Sequence, residues 1–437
     1  MNKHRAAATL MSVLAMGLGQ LYNRQWLKGL AFLLIEALGL YYIAPRLQHA
    51  VWGLVTLGEQ TQKFVKQGGG TQLVKGDHSI FLMLDGLLVL LALFVFILLY
   101  AVNIFDAHQT GKVIDEADGD RGALKLKRNA IDRYFPQILL FVPAMGVLLF
   151  TVLPIVFTIM LAFTNYSAPD HIPPAKLVDW VGFKTFVDLL QLKSWSHTFL
   201  GVLTWTLIWA VLATVTTYFG GVLVALLIEQ RGIRFKKLWR TIFILPYAIP
   251  QIISLLLMKN LFNGQFGPIN QYFRAFGLEG LPWLTDPFWA KVTVIVVNMW
   301  LGIPVTMVLI LGVLTSIPRD LYEAADVDGA TMLQKFRIIT MPFILFATAP
   351  VLIMQFAGNI NNFNVIFLLT NGNPIKGDYQ FAGATDLLVT WLYKLTLDNS
   401  KFNMASAIGI IIFLIIASFS IWNFRRSRSF KEEDMIQ

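Results

Sequence analysis

Long apolar runs separated by short charged segments set the pattern of this chain. The runs cover Leu27–Ala44, Ile80–Val102, Ile138–Phe163, Phe199–Ile228, Thr241–Phe262, Phe288–Leu314, Phe343–Leu369 and Met404–Trp422. Most reach the ~20 residues that cross a hydrocarbon core. The pattern predicts an all-α polytopic membrane protein with about eight transmembrane helices. A shorter apolar stretch, Ala6–Leu21, holds Gly17 and Gly19. It predicts an interfacial or re-entrant helix, with a full span as the alternative. Arg46–Ser79 reads as an external loop in which Gly68, Gly69 and Gly70 mark flexibility. Phe105–Phe135 reads as a charged connector with an amphipathic end. Pro143, Pro154, Pro246, Pro250 and Pro304 fall inside the runs. Neighbouring helices resatisfy the carbonyls that proline frees, and such kinks often line cavities. The expected organisation is an N-terminal part over 1–135, a six-helix core over 136–424 and a tail over 425–437. No internal repeat is evident.

Composition sharpens this picture. The chain is 56% hydrophobic and 14% charged, against about 25% charged in a soluble domain. Its net charge is +9, but the basic residues sit in short loops beside the runs rather than on one face. That distribution fits membrane topology and gives no reason to expect a nucleic-acid partner. With both termini inside, the inner segments hold 22 Lys and Arg against 11 in the outer loops. The bias predicts eight spans with both ends cytoplasmic. Ala15-Met16-Gly17 has the small-residue spacing of a signal cleavage site. A span follows at once, so the N-terminus is read as uncleaved.

Candidate chemistry is sparse. There is no Cys, and the six His are scattered without metal-ligand spacing, so no metal or other cofactor is expected. No G-x-x-x-x-G-K-[ST] phosphate loop occurs. The six core runs carry no Asp or Glu between their ends, where an ion-coupled carrier would need carboxylates. Glu36 is the one deep carboxylate, and it reads as a helix–helix hydrogen bond or a lipid-edge snorkel. The chain is therefore not expected to be an enzyme, and the energy for any transport must come from a partner.

A charged island between two runs is the place for that partner. Pro318 can start a helix, and Asp320 and Glu323 then complement its dipole. Leu321, Ala324 and Ala325 fall on one face at i, i+3, i+4. Gly329 suits the left-handed position that ends a helix. A second short helix runs through Phe336, and Pro342 admits the next run. The island over 318–342 thus reads as a helix–turn–helix elbow at a membrane surface. Its spacing is Glu323-Ala324-Ala325, three residues, Gly329, nine residues, Ile339, one residue, then Met341-Pro342. This closely resembles the EAA loop of importer-type ABC permeases, with Met341 where the family usually has Leu. The resemblance implies a coupling helix over Tyr322–Phe336 that docks in a cleft of a cytoplasmic ATPase subunit. Glu323 would be a polar partner there, and Ala324 and Ala325 the close-approach surface. Gly329 would supply the bend, with Asp328 and Ala330 flanking it.

Polar groups inside the runs supply a candidate path. Tyr247 and Gln251 are four apart, as are Asn298 and Gly302. Gln355, Asn359 and Asn362 follow at i, i+4, i+7. Each set is expected on one helical face. Such amides serve either as interhelical glue or as a ring that bonds sugar hydroxyls, with Phe356 and Phe363 near for stacking. Leu245-Pro246-Tyr247-Ala248-Ile249-Pro250, Asn298-Met299-Trp300-Leu301-Gly302, and Asn359-Ile360-Asn361-Asn362-Phe363 with Leu369-Thr370-Asn371-Gly372 resemble the larger permease subunit of maltose/maltodextrin importers. The likeness runs from about Ile138 to the C-terminus. It implies a type I ABC importer permease fold in a prokaryotic cytoplasmic membrane, with Tyr247, Gln251, Asn298, Gly302, Asn359 and Asn362 lining the sugar site. It also implies four kinds of partner: a second, homologous permease, two ATPase subunits, an extracytoplasmic sugar-binding protein and the lipid bilayer. Gln251 stands where the family has a small hydroxyl residue, and Val305 and Thr306 where members can carry aromatics. The outer loop Asn165–Thr198 is much shorter than the insert some members carry. Alternatives are the same machinery carrying another oligosaccharide or a polyol, an ion-coupled secondary carrier, and a membrane scaffold.

Overall fold

The computed structural model describes residues 3–67, 70–74, 76–116, 139–230 and 232–426. Gly68 and Gly69, most of the expected 105–135 connector, Arg231 and the tail beyond 426 lie outside the described residues. By packing, the chain forms two compact units, Met1–Gly182 and Phe183–Gln437.

The first unit begins with α1 (Lys3–Leu14) and α2 (Leu18–Tyr22). The turn between them contains Gly17 at φ +86. Neither helix is long enough to span by itself. The turn is tied down by α3 (Trp26–Thr56) and α4 (Ser79–Glu116). Glu36 Oε2 accepts the Met16 N–H at 3.0 Å, and Asn103 Oδ1 accepts the Gly17 N–H at 2.9 Å. The deep carboxylate is therefore a helix-to-turn hydrogen-bond acceptor. Lys28 pairs with Asp106, which also accepts from Gln20.

Two boundaries differ from expectation here. Helix α3 runs through Pro45 to Thr56, so the loop expected from Arg46 begins only after it. Ala50 and Gly53 of the added turns are buried, and Arg46 sits 4.6 Å over the Tyr42 ring. Packing thus outweighs the one hydrogen bond that proline removes. At the other end α4 continues to Glu116 and takes up the start of the expected connector. An antiparallel hairpin, β1 (Lys63–Gln67) with β2 (Gly70–Val74), interrupts the helical architecture between α3 and α4. The unit closes with α5 (Leu139–Ala162).

The loop below that hairpin carries a pH-sensitive latch. Asp77 Oδ2 accepts the backbone N–H groups of Glu59 at 2.8 Å and Gln60 at 2.9 Å. The Gln60 and Glu59 amides hold its carboxyl below the ordinary value. A depressed carboxylate contributes stability above its unfolded pKa and loses it as pH falls through the folded one. The protection of the Glu59 and Gln60 amides, measured against a free peptide at the same pH, should therefore fall in acid, below the usual carboxylate range. Asp77→Ala, which removes the acceptor, should lack that protection at every pH, and Asp77→Asn should keep part of it without the pH dependence.

The second unit contains α6 (Lys184–Gln191), α7 (Lys193–Glu229), α8 (Lys236–Ala248), α9 (Gln251–Leu261) and α10 (Pro268–Ala275). After these come α11 (Pro287–Ser316), α12 (Arg319–Val327) and α13 (Met332–Ile360). The last are α14 (Phe363–Leu369), α15 (Leu388–Tyr393) and α16 (Phe402–Arg426). Helix α7 is the axis of this unit. Val202 and Ala210 pack with Trp391 and Ile408, Trp209 and Ala213 with Val294 and Leu369, and Tyr218 and Val222 with Ile310 and Ile344. Its buried Ala, Thr and Gly side lets α11 and α13 approach closely. Across the described residues seven helices are long and apolar enough to span, or eight if a bent pair counts as one.

Two expected spans are broken. Thr241–Phe262 is not one kinked helix, because α8 and α9 meet at 92°. Ile249 is extended at φ −87, ψ 132, the conformation that the following proline imposes. Phe343–Leu369 is not one helix either. Helix α13 ends at Ile360, and Asn362 Oδ1 caps α14 by accepting the Val365 N–H at 3.3 Å. Asparagine side chains offer the backbone this alternative to continuing a helix.

Candidate functional site

The broken helices collect the amides. Asn298 is the twelfth of the 30 residues of α11, about 16 Å along a helix of about 45 Å at 1.5 Å per residue, and so inside the apolar span. Its Oδ1 lies 3.5 Å from Asn362 Nδ2, which is also 3.5 Å from Asn359 Oδ1. Asn359 Nδ2 donates to Thr214 Oγ1 at 3.0 Å, and the Asn359 carbonyl accepts the Trp209 indole N–H at 3.0 Å. Gln355 Nε2 donates to Thr217 Oγ1 at 2.7 Å. Gln251, first residue of α9, accepts from Asn364 Nδ2 at 3.2 Å. Irregular backbone at membrane depth is tolerated where it is buried in protein or lines a cavity. The 361–362 break places neutral donors and acceptors there.

Several expectations change in detail. Asn362 reaches Asn359 because the chain turns between them, not because both lie on one helical face. Tyr247 and Gln251 do not share a face, since the 92° bend falls between them. Tyr247 is 67% exposed, and no hydrogen bond joins it to the amides among the described residues. Gly302 faces α7: a Cβ there would lie 2.6 Å from Thr217 Cγ2. That glycine sets the approach of α11 to α7. Phe363 stacks on Phe367 at 4.8 Å, and Phe356 meets Phe419 at 4.2 Å. Thr214, Thr217, Trp209 and Asn364 were not singled out from sequence. The signal for the threonines was present, because the run Phe199–Ile228 is rich in Thr at helical spacing.

At the other site, α12 ends as Gly329 adopts φ +73. The Gly329 N–H donates to the Asp326 carbonyl at 3.1 Å and the Ala330 N–H to the Ala325 carbonyl at 2.9 Å. This pair of bonds is the Schellman closure. Thr331 and Gln334 then form a capping box, which starts the next helix by satisfying its first donors. Lys335 pairs with Asp326, and Tyr322 shares a hydrogen bond with Thr340 at 2.9 Å, so both arms are braced. Ala324 is exposed and Ala325 half-buried. Val327 (88%), Met332 (71%) and Leu333 (65%) stand out from the bend as an unpartnered apolar tip.

Residues 218–430 match the family described as binding-protein-dependent transport system inner membrane component. The chain is 39% identical to the galactooligosaccharides transport system permease protein GanP of Bacillus subtilis, over 99% of this chain and 100% of that protein. It is 38% identical to the maltodextrin transport system permease protein MdxF of the same organism, over all of both chains. The maltose/maltodextrin transport system permease protein MalF of Klebsiella aerogenes is 39% identical over 57% of this chain and 49% of that protein. Among solved structures, a chain of a bacterial ABC transporter involved in the import of the acidic polysaccharide alginate superposes with a TM-score of 0.58 at 25% identity. That match covers 71% of this chain and 99% of that one. The protein belongs to this family: it is a permease subunit of an ABC sugar importer, with the type I fold, and a transport component rather than an enzyme. Within the family it is of the larger, maltose type, a multi-span protein of the cytoplasmic membrane.

Proposed function

We propose that this subunit carries a neutral oligosaccharide of the maltodextrin type through the membrane by alternating access. The observation that carries the reading is the neutral amide cluster of Asn298, Asn359 and Asn362 at a helix break inside an apolar span. Uncharged donors and acceptors suit sugar hydroxyls, and broken helices within the membrane form substrate sites in transporters. Gln251, Gln355 and Tyr247 complete the lining when the halves rearrange, and Gly302 holds the wall. Energy comes from two copies of a separate ATPase that receive the elbow of Glu323, Ala324, Ala325, Asp328, Gly329 and Ala330. A second, homologous permease and an extracytoplasmic sugar-binding protein complete the machine, and both termini are cytoplasmic. The 39% identity to GanP favours a second reading of the cargo, a galactooligosaccharide. Uptake of labelled maltotriose against a labelled β-galactotriose decides between them.

A pair of variants tests the amide role. Asn359→Leu removes the amide, whereas Thr214→Val removes only its intramolecular acceptor. An interhelical hydrogen bond in a membrane contributes roughly 0.6 kcal/mol, so both variants should lose a similar, small stability. Asn359→Leu should lower uptake at least about tenfold, the cost of one unpaired polar contact to a substrate hydroxyl. Thr214→Val should retain uptake. Equal losses in both variants would reduce the cluster to packing.

A further inference from the structure

Away from the amides, the second unit carries an open groove of ≈ 390 Å³ beside the first turns of α7. It is lined by His197, Leu200, Thr204, Trp205 and Ile208 of α7, by Lys291 of α11 and by Tyr379. The Lys291 ammonium lies 4.5 Å from the Trp205 ring centroid. No carboxylate pairs with it among the described residues. Asp378, the acid beside the groove, is engaged by His197 at 2.8 Å. A second ammonium, that of Lys376, sits 4.0 Å over the Tyr379 ring. The groove therefore has net positive charge and no internal counter-ion for Lys291.

The helix below the ammonium is apolar and open. Ile208, Leu212, Val215 and Phe219 follow at i, i+4, i+7, i+11 on one face of α7 and are 46%, 39%, 44% and 49% exposed. This stripe is about 16 Å long at 1.5 Å per residue, close to half of a ~30 Å hydrocarbon core. Trp205 itself is buried in the core, its indole N–H donating to the Thr385 carbonyl at 3.2 Å, so its ring is a fixed platform for the ammonium. An anion binder would need the lysine and not the stripe, and a sugar would need neither. A molecule with an anionic head and an acyl tail uses both.

We propose that this groove binds one anionic phospholipid of the leaflet at which α7 begins. Its phosphate faces Lys291 and its acyl chain lies along Ile208–Phe219. One Lys at an anionic lipid surface contributes about 1 kcal/mol of attraction.

The test uses the full-length chain, with the subunits that copurify, in nanodiscs of phosphatidylglycerol or phosphatidylcholine, followed by mild extraction and native mass spectrometry. Wild type should retain phosphatidylglycerol over phosphatidylcholine. Lys291→Gln should cut that preference about fivefold, the ratio for one lysine at an anionic surface. Lys291→Arg should keep it, and Thr204→Trp, which fills the groove without altering charge, should lose it. Inorganic phosphate should not displace the lipid. Unchanged retention in Lys291→Gln and Thr204→Trp overturns the proposal. Displacement by inorganic phosphate overturns it in favour of a free-anion site. Unchanged retention with weakened binding-protein-stimulated uptake in Lys291→Gln assigns the ammonium to a protein carboxylate instead.

Discussion

Gly329→Val is expected to cut sugar uptake severely while leaving the protein folded and in the membrane. Gly329 holds φ +73, and a Cβ built there meets nothing within 4 Å. The penalty is thus one of backbone conformation, not of crowding. A β-branched residue at a left-handed position costs about 1–2 kcal/mol. The Schellman closure relaxes to avoid that cost, and Val327 and Met332 move from the tip of the elbow. The global loss is small, so thermal stability should fall by only a few degrees. Uptake should fall at least about tenfold, because a misplacement near 1 Å already costs coupling between rigid bodies. Gly329→Asn should behave nearly as wild type, since Asn tolerates this conformation. The chain has no cysteine, so a single Ala324→Cys provides a clean crosslinking probe. It should reach the ATPase subunit in wild type and fail to in Gly329→Val. Normal uptake by the valine variant would remove the elbow from the coupling mechanism.

The largest stability effect is expected at Asp386. Its side chain is fully buried and bonded to Lys394 Nζ at 2.7 Å, the Gly383 N–H at 2.7 Å and Thr390 Oγ1 at 2.8 Å. The Lys394 side chain is only 15% exposed. Asp386→Ala leaves a buried ammonium without its counter-ion, which costs about 3–5 kcal/mol. It also frees the Gly383 amide, which fastens the segment between α14 and α15. Thermal unfolding in detergent should shift down strongly, with protease cleavage between 372 and 387. Removing both charges, as Asp386→Asn with Lys394→Met, should recover most of the loss, because a buried pair contributes little beyond cancelling its own desolvation. A double variant as unstable as the single one would show that the backbone contacts of Asp386, rather than its pairing, hold the segment.

The two candidate sites differ in how far local sequence reveals them. The elbow is a local object. Gly329, the Thr331–Gln334 capping box and Pro342 act within a few residues of their own positions, so residue type and spacing suffice. The amide cluster is not local. Asn359 meets Thr214 and Gln355 meets Thr217 across 145 and 138 residues. Periodicity placed Gln355 and Asn359 correctly on one helix but carried the pattern past Asn361, where an asparagine cap wins over helix continuation. It also carried Tyr247 through Ile249-Pro250, where proline sterics turn the chain by 92°. In both cases the turn-forming residue was visible, but hydrophobicity on either side hid its effect.

The sequence by itself determined that the chain is a bundle of apolar helices, roughly where they begin and end, and where the charged elbow interrupts them. Hydropathy, proline and glycine act over one or two turns, and no distant contact is needed to read them. Only the tertiary structure decided that the local turn signals at Pro250 and Asn362 prevail over the apolar runs around them, that Gly302 lies against Thr217, and that Lys291 is left without an acid among the described residues. The last two depend on which helix faces come together across about 85 residues of chain, and packing, not local preference, selects among them.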